Sequence, residues 1–221
     1  MVFSSTEFIF LFLPAVIALY YIVPKKHRSI LYRNTVLLVS SLLFYAWGEP
    51  VFIFVILFYI VINWFAALKI GKYSDKRHRK RYLVFAVFMD VLLIFVFKYL
   101  SFAAYNVGLL INKPIDLGIA LPVGISFFTF QIMSYVFDVY YKTTAAQKNL
   151  FKVALYIALF PQLIAGPIVK YSDVEREINQ RNEDAQDFTR GVIRFVLGLG
   201  KKVLIANYVA VIADNTFAVS A

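Results

Sequence analysis

Long apolar blocks alternate with short basic connections along this chain, and the blocks lack the polar stripe of a soluble amphipathic helix. Residues 7–23, 35–47, 51–68, 83–111, 117–137 and 191–213 each read as a membrane-spanning helix by composition and, for most, by length. The block 35–47 is short for a span and is expected to tilt or borrow from the preceding loop. Pro14 predicts a kink in the first helix, and Gly48-Glu49-Pro50 predicts a tight hairpin between the second and third. Lys98 falls near the far end of the fourth, where its stem reaches the headgroups. The pattern predicts an all-α integral membrane protein with about six transmembrane helices, forming a single membrane domain over 1–221. It shows no internal repeat.

Residues 150–169 differ. They are long enough to span, yet Pro161, Gly166 and Pro167 interrupt them. Broken apolar segments survive at membrane depth only inside protein or along a wet cavity. A re-entrant hairpin is the preferred reading and a kinked full span the alternative. Basic residues favour the first. Loops 24–34, 48–50, 69–82, 112–116 and 138–152 carry four, zero, seven, one and three Lys or Arg, and segment 170–190 carries four. That alternation places the amino terminus outside and the basic loops in the cytoplasm. A re-entrant segment keeps 170–190 on the cytoplasmic side. Ser172 and Glu175 have capping-box spacing, so a polar surface helix is expected to start there.

Composition narrows the chemistry. Apolar and aromatic residues make up 61% and charged residues 16%, which excludes a soluble domain, a disordered chain and a disulfide-stapled module. Without cysteine there is no thiol nucleophile or thiolate metal site, and two histidines leave no metal centre to expect. His27 and His78 lie in basic runs and are expected to be solvated, with no orienting carboxylate. The net charge of +10 sits in the connections, so it reads as membrane orientation and not nucleic-acid binding. Polar residues inside apolar blocks are the remaining candidates, because their burial needs a partner. These are Gln131 and Asp138 in the fifth span, Gln162 in the broken segment and Asn207 in the last span. For Gln131, Gln162 and Asn207, interhelical hydrogen bonding and a functional role both remain open; for Ser126, Thr129 and Ser134, hydrogen bonding is expected. Arg194 and Lys201, seven apart on one face, and Lys202 are candidates to hold an anionic donor, with snorkelling to headgroups as the alternative.

Five strings occur in order: MVFSSTEFIFLFLP at 1–14, FYAWGEP at 44–50, LPVGISFFTFQIMSYVFDVYY at 121–141, FPQLIAGPIVKYSD at 160–173 and GLGKKVLIAN at 198–207. Together they resemble the membrane-bound O-acyltransferase superfamily, in its bacterial alginate O-acetyltransferase-like branch, and specifically its amino-terminal half. The resemblance implies an inner-membrane enzyme that passes an acyl group from a cytoplasmic donor, acetyl-CoA or another acyl thioester, across the membrane. The implied acceptor is an exported polysaccharide or a secreted or periplasmic transfer protein, and no bound cofactor is implied. The family's general base is a histidine in an apolar helix of the carboxy-terminal half, which this chain does not match. The expectation is therefore a fragment without the catalytic residue, inactive alone. Gln131, Asp138, Gln162, Gly166, Pro167 and Asn207 become candidates to line the acyl tunnel. D-alanyl transfer to a cell-wall polymer and a non-catalytic membrane scaffold are the rival readings. A transporter is a further one, but it predicts inverted repeats that the sequence lacks.

Overall fold

The computed structural model describes residues 3–113, 115–163, 166 and 168–219. Among them the secondary structure is helical, without strands. In chain order the helices are α1 (Phe8–Tyr21), α2 (Ile30–Gly48), α3 (Ile53–Lys72), α4 (Lys76–Leu110), α5 (Ile125–Tyr141), α6 (Leu150–Ala158), α7 (Phe160–Leu163) and α8 (Tyr171–Asn179). The last, α9, begins at Ala185, takes a π-helical turn over Lys202–Ala206 and ends with Asn207–Val219. They form two compact units, Tyr20–Gln180 and a second made of Met1–Leu19 with Arg181–Ala221.

In the larger unit, α3 packs against α4 and α5, α4 packs against α5, and α6 rests on α2 and α3. Small residues make the close approach possible: Ala66, Ala67 and Ala86 are fully buried. Phe128, Ile132, Tyr135 and Val136 turn α5 inward, against Ile56, Tyr59 and Ile60 of α3. The outward faces are apolar too, with Phe54, Phe58, Phe88 and Phe102 exposed. A bundle that is apolar on both faces is one whose solvent is lipid. α2, α3, α4 and α9 each contain a stretch long and apolar enough to cross a membrane, and α1 is a shorter apolar helix. The chain is an all-α integral membrane protein.

Several boundaries differ from the pattern, each for a local reason. α2 starts at Ile30, not 35, because the Ser29 hydroxyl accepts from the Tyr32 N–H at 3.2 Å and caps it. It reaches 19 residues by taking 30–34 from the preceding loop. α4 starts at Lys76, within the basic run, because Asp75 caps it through the His78 N–H at 3.2 Å. The fifth block begins as irregular chain, and α5 forms only from Ile125. Pro122 offers no N–H, and Gly124 adopts φ +79, a left-handed conformation open to glycine. The capping box at Ser172 does not form. Lys170 takes the N-cap position without a side-chain bond, and Ser172 Oγ pairs with Asp173 at 3.4 Å.

In the smaller unit, α9 is capped by Asp184, whose carboxylate accepts from the Gln186 N–H at 2.7 Å. Lys202 Nζ donates to Ser4 Oγ at 2.8 Å, and Leu197, Leu204 and Ile205 are exposed.

Candidate functional site

The broken segment is held by an exchange of hydrogen bonds. α6 ends at Ala158, and Leu159 leaves the helix with ψ 115. In a continuous helix the Phe160 N–H would donate to the Tyr156 carbonyl. It donates instead to Ser41 Oγ of α2 at 3.1 Å. The Tyr156 carbonyl, freed within the buried bundle, accepts from two glutamines: Gln131 Nε2 of α5 at 3.0 Å, and Gln162 Nε2 of α7. An unsatisfied buried carbonyl costs about 1–3 kcal/mol, so these two amides are what makes a chain break tolerable at this depth. The Tyr156 hydroxyl donates to the Val169 carbonyl at 2.6 Å, which ties the far side of the break to the same residue.

The sequence-predicted candidates therefore divide. Gln131 and Gln162 meet on one carbonyl, and Gly166 lies beside Gln162, whose Cα would be 3.6 Å from an added Cβ. Asp138 lies two turns beyond Gln131 on α5, half-buried; its Oδ2 has no hydrogen-bond partner among the described residues. Pro167 lies outside the described residues. Arg194, Lys201, Lys202 and Asn207 belong to α9 in the smaller unit; Arg194, Lys201 and Asn207 are exposed there. The π-turn starts after Lys201, so Arg194 and Lys201 keep their shared face.

The pattern missed a second polar centre. Asn63 of α3 and Asp90 of α4 are buried, at 0% and 1% exposure, and Asn63 Nδ2 donates to Asp90 Oδ1 at 2.7 Å. The same amide donates to the Tyr59 carbonyl at 3.1 Å. Asp90 Oδ2 and Asn63 Oδ1 have no partner among the described residues. The signal was available: Asp90 is the one acid in the apolar run 83–97, and such residues mark functional or packing centres. His78 also departs from expectation. Asp75 Oδ2 lies 2.7 Å from His78 Nδ1, both half-exposed, so a carboxylate does orient this histidine. That contact and the backbone N–H groups of Arg77 and His78 hold the Asp75 carboxyl below the usual carboxylate range.

A third feature anchors the polar helix. The rings of Tyr135, Tyr156 and Tyr171 meet edge to face, with centroids 5.1–6.3 Å apart. Gln147 clamps two of them: its N–H donates to the Tyr135 hydroxyl and its side-chain amide to the Tyr171 hydroxyl, each at 2.9 Å. Burial pushes the Tyr171 phenol above its ordinary range, with the Gln147 bond acting against it. Among the described residues no cluster of His, Cys, Asp and Glu is arranged to hold a metal.

A multi-span helical bundle with a broken, glutamine-pinned segment defines a polytopic membrane protein whose apolar core holds a few buried polar centres. No family model and no solved structure matches the chain. Its curated relatives are more specific. It is 39% identical to a protein named probable alginate O-acetylase AlgI from Pseudomonas aeruginosa, over 99% of this chain and 42% of that one. A protein of the same name from Azotobacter vinelandii is 38% identical, over 100% and 44%. A peptidoglycan O-acetyltransferase from Helicobacter pylori is 30% identical, over 98% and 46%. The chain thus spans somewhat under half the length of the relatives it matches. All three relatives are named for O-acetylation, of alginate or of peptidoglycan.

Proposed function

We propose that the complete protein is an O-acetyltransferase acting on an exported polysaccharide, and that residues 1–221 form part of its membrane core. The observation that carries this reading is similarity over essentially the whole chain to proteins named for O-acetylation of alginate and of peptidoglycan. In this reading acetyl-CoA or another acyl thioester is the donor on the cytoplasmic side of the bacterial inner membrane. The acceptor is a polysaccharide hydroxyl, or a secreted or periplasmic transfer protein, on the outer side. The acyl carbon–sulfur bond breaks, a carbon–oxygen bond forms and the donor leaves as its thiolate on the cytoplasmic side. The hydroxyl proton passes to a base, expected to be a histidine outside residues 1–221. Arg194, Lys201 and Lys202 are donor-anion candidates in the same proposal.

The chain's own contribution is the break after α6. The Tyr156 node joins two short helices across the break without leaving that carbonyl unsatisfied. Gln131 and Gln162 hold the break, and with Asp138 and Gly166 of the same unit they are the proposed tunnel lining. In membranes holding the complete protein, labelled acetyl is expected in exopolysaccharide. Gln131→Ala and Gln162→Ala are expected to lower transfer about tenfold, the kinetic equivalent of about 1.4 kcal/mol, at unchanged protein level. Losses of transfer and protein in parallel leave these residues a folding role only. Labelled D-alanine in wall polymer, with no acetyl transferred, overturns the acetyl reading.

A further inference from the structure

At one end of the α3–α4–α5 bundle is an open cavity of about 1010 Å³. Its walls are the last turns of α3, the connection to α4 and the segment after α5. Five cationic side chains line it, Lys69, Lys72, Arg79, Lys142 and Lys148, and among the described residues no carboxylate does. The apolar residues Phe65 and Val139 form part of its floor. A concave wall carrying one sign of charge concentrates counter-ions far more than the same charges spread on a convex surface.

Solvated loop charge explains the cations but not the construction around them. The segment after α5 is fixed at several points. Lys142 takes a left-handed conformation at φ 63, and the Thr143 N–H donates to the Asp138 carbonyl at 2.8 Å. Trp64 Nε1 donates to the Gln147 carbonyl at 3.0 Å, and Gln147 is clamped to Tyr135 and Tyr171. Ala146 sits against Gly71, where an added Cβ would lie 2.7 Å from the Ala146 Cβ. Arg79 is partly committed, since its guanidinium donates to the Val139 and Tyr140 carbonyls and so ties α4 to the end of α5. Four lysines remain on a rigid frame. Lys69 is half-buried with its ammonium 5.0 Å from the Phe65 ring centroid, and the others are exposed. Like charges on a rigid frame repel, and a multivalent anion converts that repulsion into binding.

We infer that this cavity binds a phosphate-bearing ligand, its phosphate held by Lys69, Lys72 and Lys148 and its less polar part against Phe65 and Val139. The volume is ample for a phosphate ester with an organic portion. Two sources share this chemistry, a soluble nucleotide ester and an anionic phospholipid headgroup. A nucleotide ligand makes the cavity part of the donor side and rests on the acetyltransferase reading; the anion chemistry itself does not.

The test uses the complete protein, purified in detergent and in nanodiscs. Adenosine diphosphate binding is measured by calorimetry, and retention of phosphatidylglycerol over phosphatidylcholine by native mass spectrometry. Each is repeated for Lys69→Ala/Lys72→Ala/Lys148→Ala and for the matching triple change to arginine. Arg79 is left intact because it fastens two helices. Binding of either probe, weakened at least about tenfold by the alanine set and restored by the arginine set, supports the site; the probe that binds names the source. No binding of either probe, or binding that the alanine set does not change, overturns it. Acetyl transfer is assayed on the same preparations. Transfer without probe binding discards the cavity alone, and probe binding without transfer discards the enzyme reading alone.

Discussion

Asn63 and Asp90 form a pair in which each side chain leaves one oxygen without a partner among the described residues. A carboxylate at position 90 has no proton to donate to Asn63 Oδ1, whereas an amide there can donate to it while still accepting from Asn63 Nδ2. Asp90→Asn is therefore expected to fold at least as stably as the parent. Asp90→Ala leaves one N–H of the Asn63 amide without its partner in the core, the other keeping the Tyr59 carbonyl, and is expected to cost about 1–3 kcal/mol, less where water reaches the site. Denaturant unfolding in detergent checks both; a loss for Asp90→Asn equal to that for Asp90→Ala removes the hydrogen-bonding account. Asp75 gives a second test at the surface. Its carboxyl is held below the usual carboxylate range in the fold, so its capping contribution is present above the unfolded-chain value and fades as pH falls through the folded one. Asp75→Asn keeps the cap and is expected to flatten the acid limb of thermal stability below about pH 4. An acid limb unchanged in the variant assigns the sensitivity elsewhere.

Among the elements, α8 depends on others for its place. Its outer face is polar, and the Tyr171 ring and Ile178 anchor it to the core. Gln147→Ala removes the bond to the Tyr171 hydroxyl and the acceptor for the Asn149 N–H. Each bond contributes about 0.5–1.5 kcal/mol, so amide exchange is expected to quicken several-fold across residues 149–152 and 171–179 and to stay unchanged in α3. The same elements show what the pattern made legible. Apolar blocks stood out because lipid demands continuous apolar length, and Gln131 and Gln162 stood out because amides inside such blocks need partners. Their meeting point was hidden. It is a backbone carbonyl, free only because Ser41, 119 positions away in sequence, takes the Phe160 N–H. The starts of α2 and α4 were hidden in another way, by single capping residues that override hydropathy at the block edges. The beginning of the fifth block looked helical by composition, but Pro122 and Gly124 govern its backbone.

For the larger unit as a whole, the governing question is which end faces which side of the membrane. α4 is 35 residues long, or about 52 Å at 1.5 Å per residue, against about 30 Å of hydrocarbon. Its basic first turns, Lys76–Arg81, are therefore expected outside the apolar layer, and the charge-based expectation makes that side the cytoplasm. Residues 1–221 contain no cysteine, so single cysteines placed there report position without background from this part of the protein. Lys25→Cys and Arg77→Cys are expected to react with a membrane-impermeant maleimide only in inverted vesicles. Val51→Cys and Lys113→Cys are expected to react only in right-side-out vesicles. Gln180→Cys decides the fate of the broken segment. Labelling with the Arg77→Cys group means α6 and α7 enter and leave on one side, with the Tyr156 node at the turning point and the lysine cavity on the same face. Labelling with the Val51→Cys group means the chain crosses at the break; Gln131 and Gln162 then hold a kink within a single crossing. Reversal of both reference groups would reject the charge-based orientation and put the lysine cavity on the outer side, where a cytoplasmic donor cannot reach it.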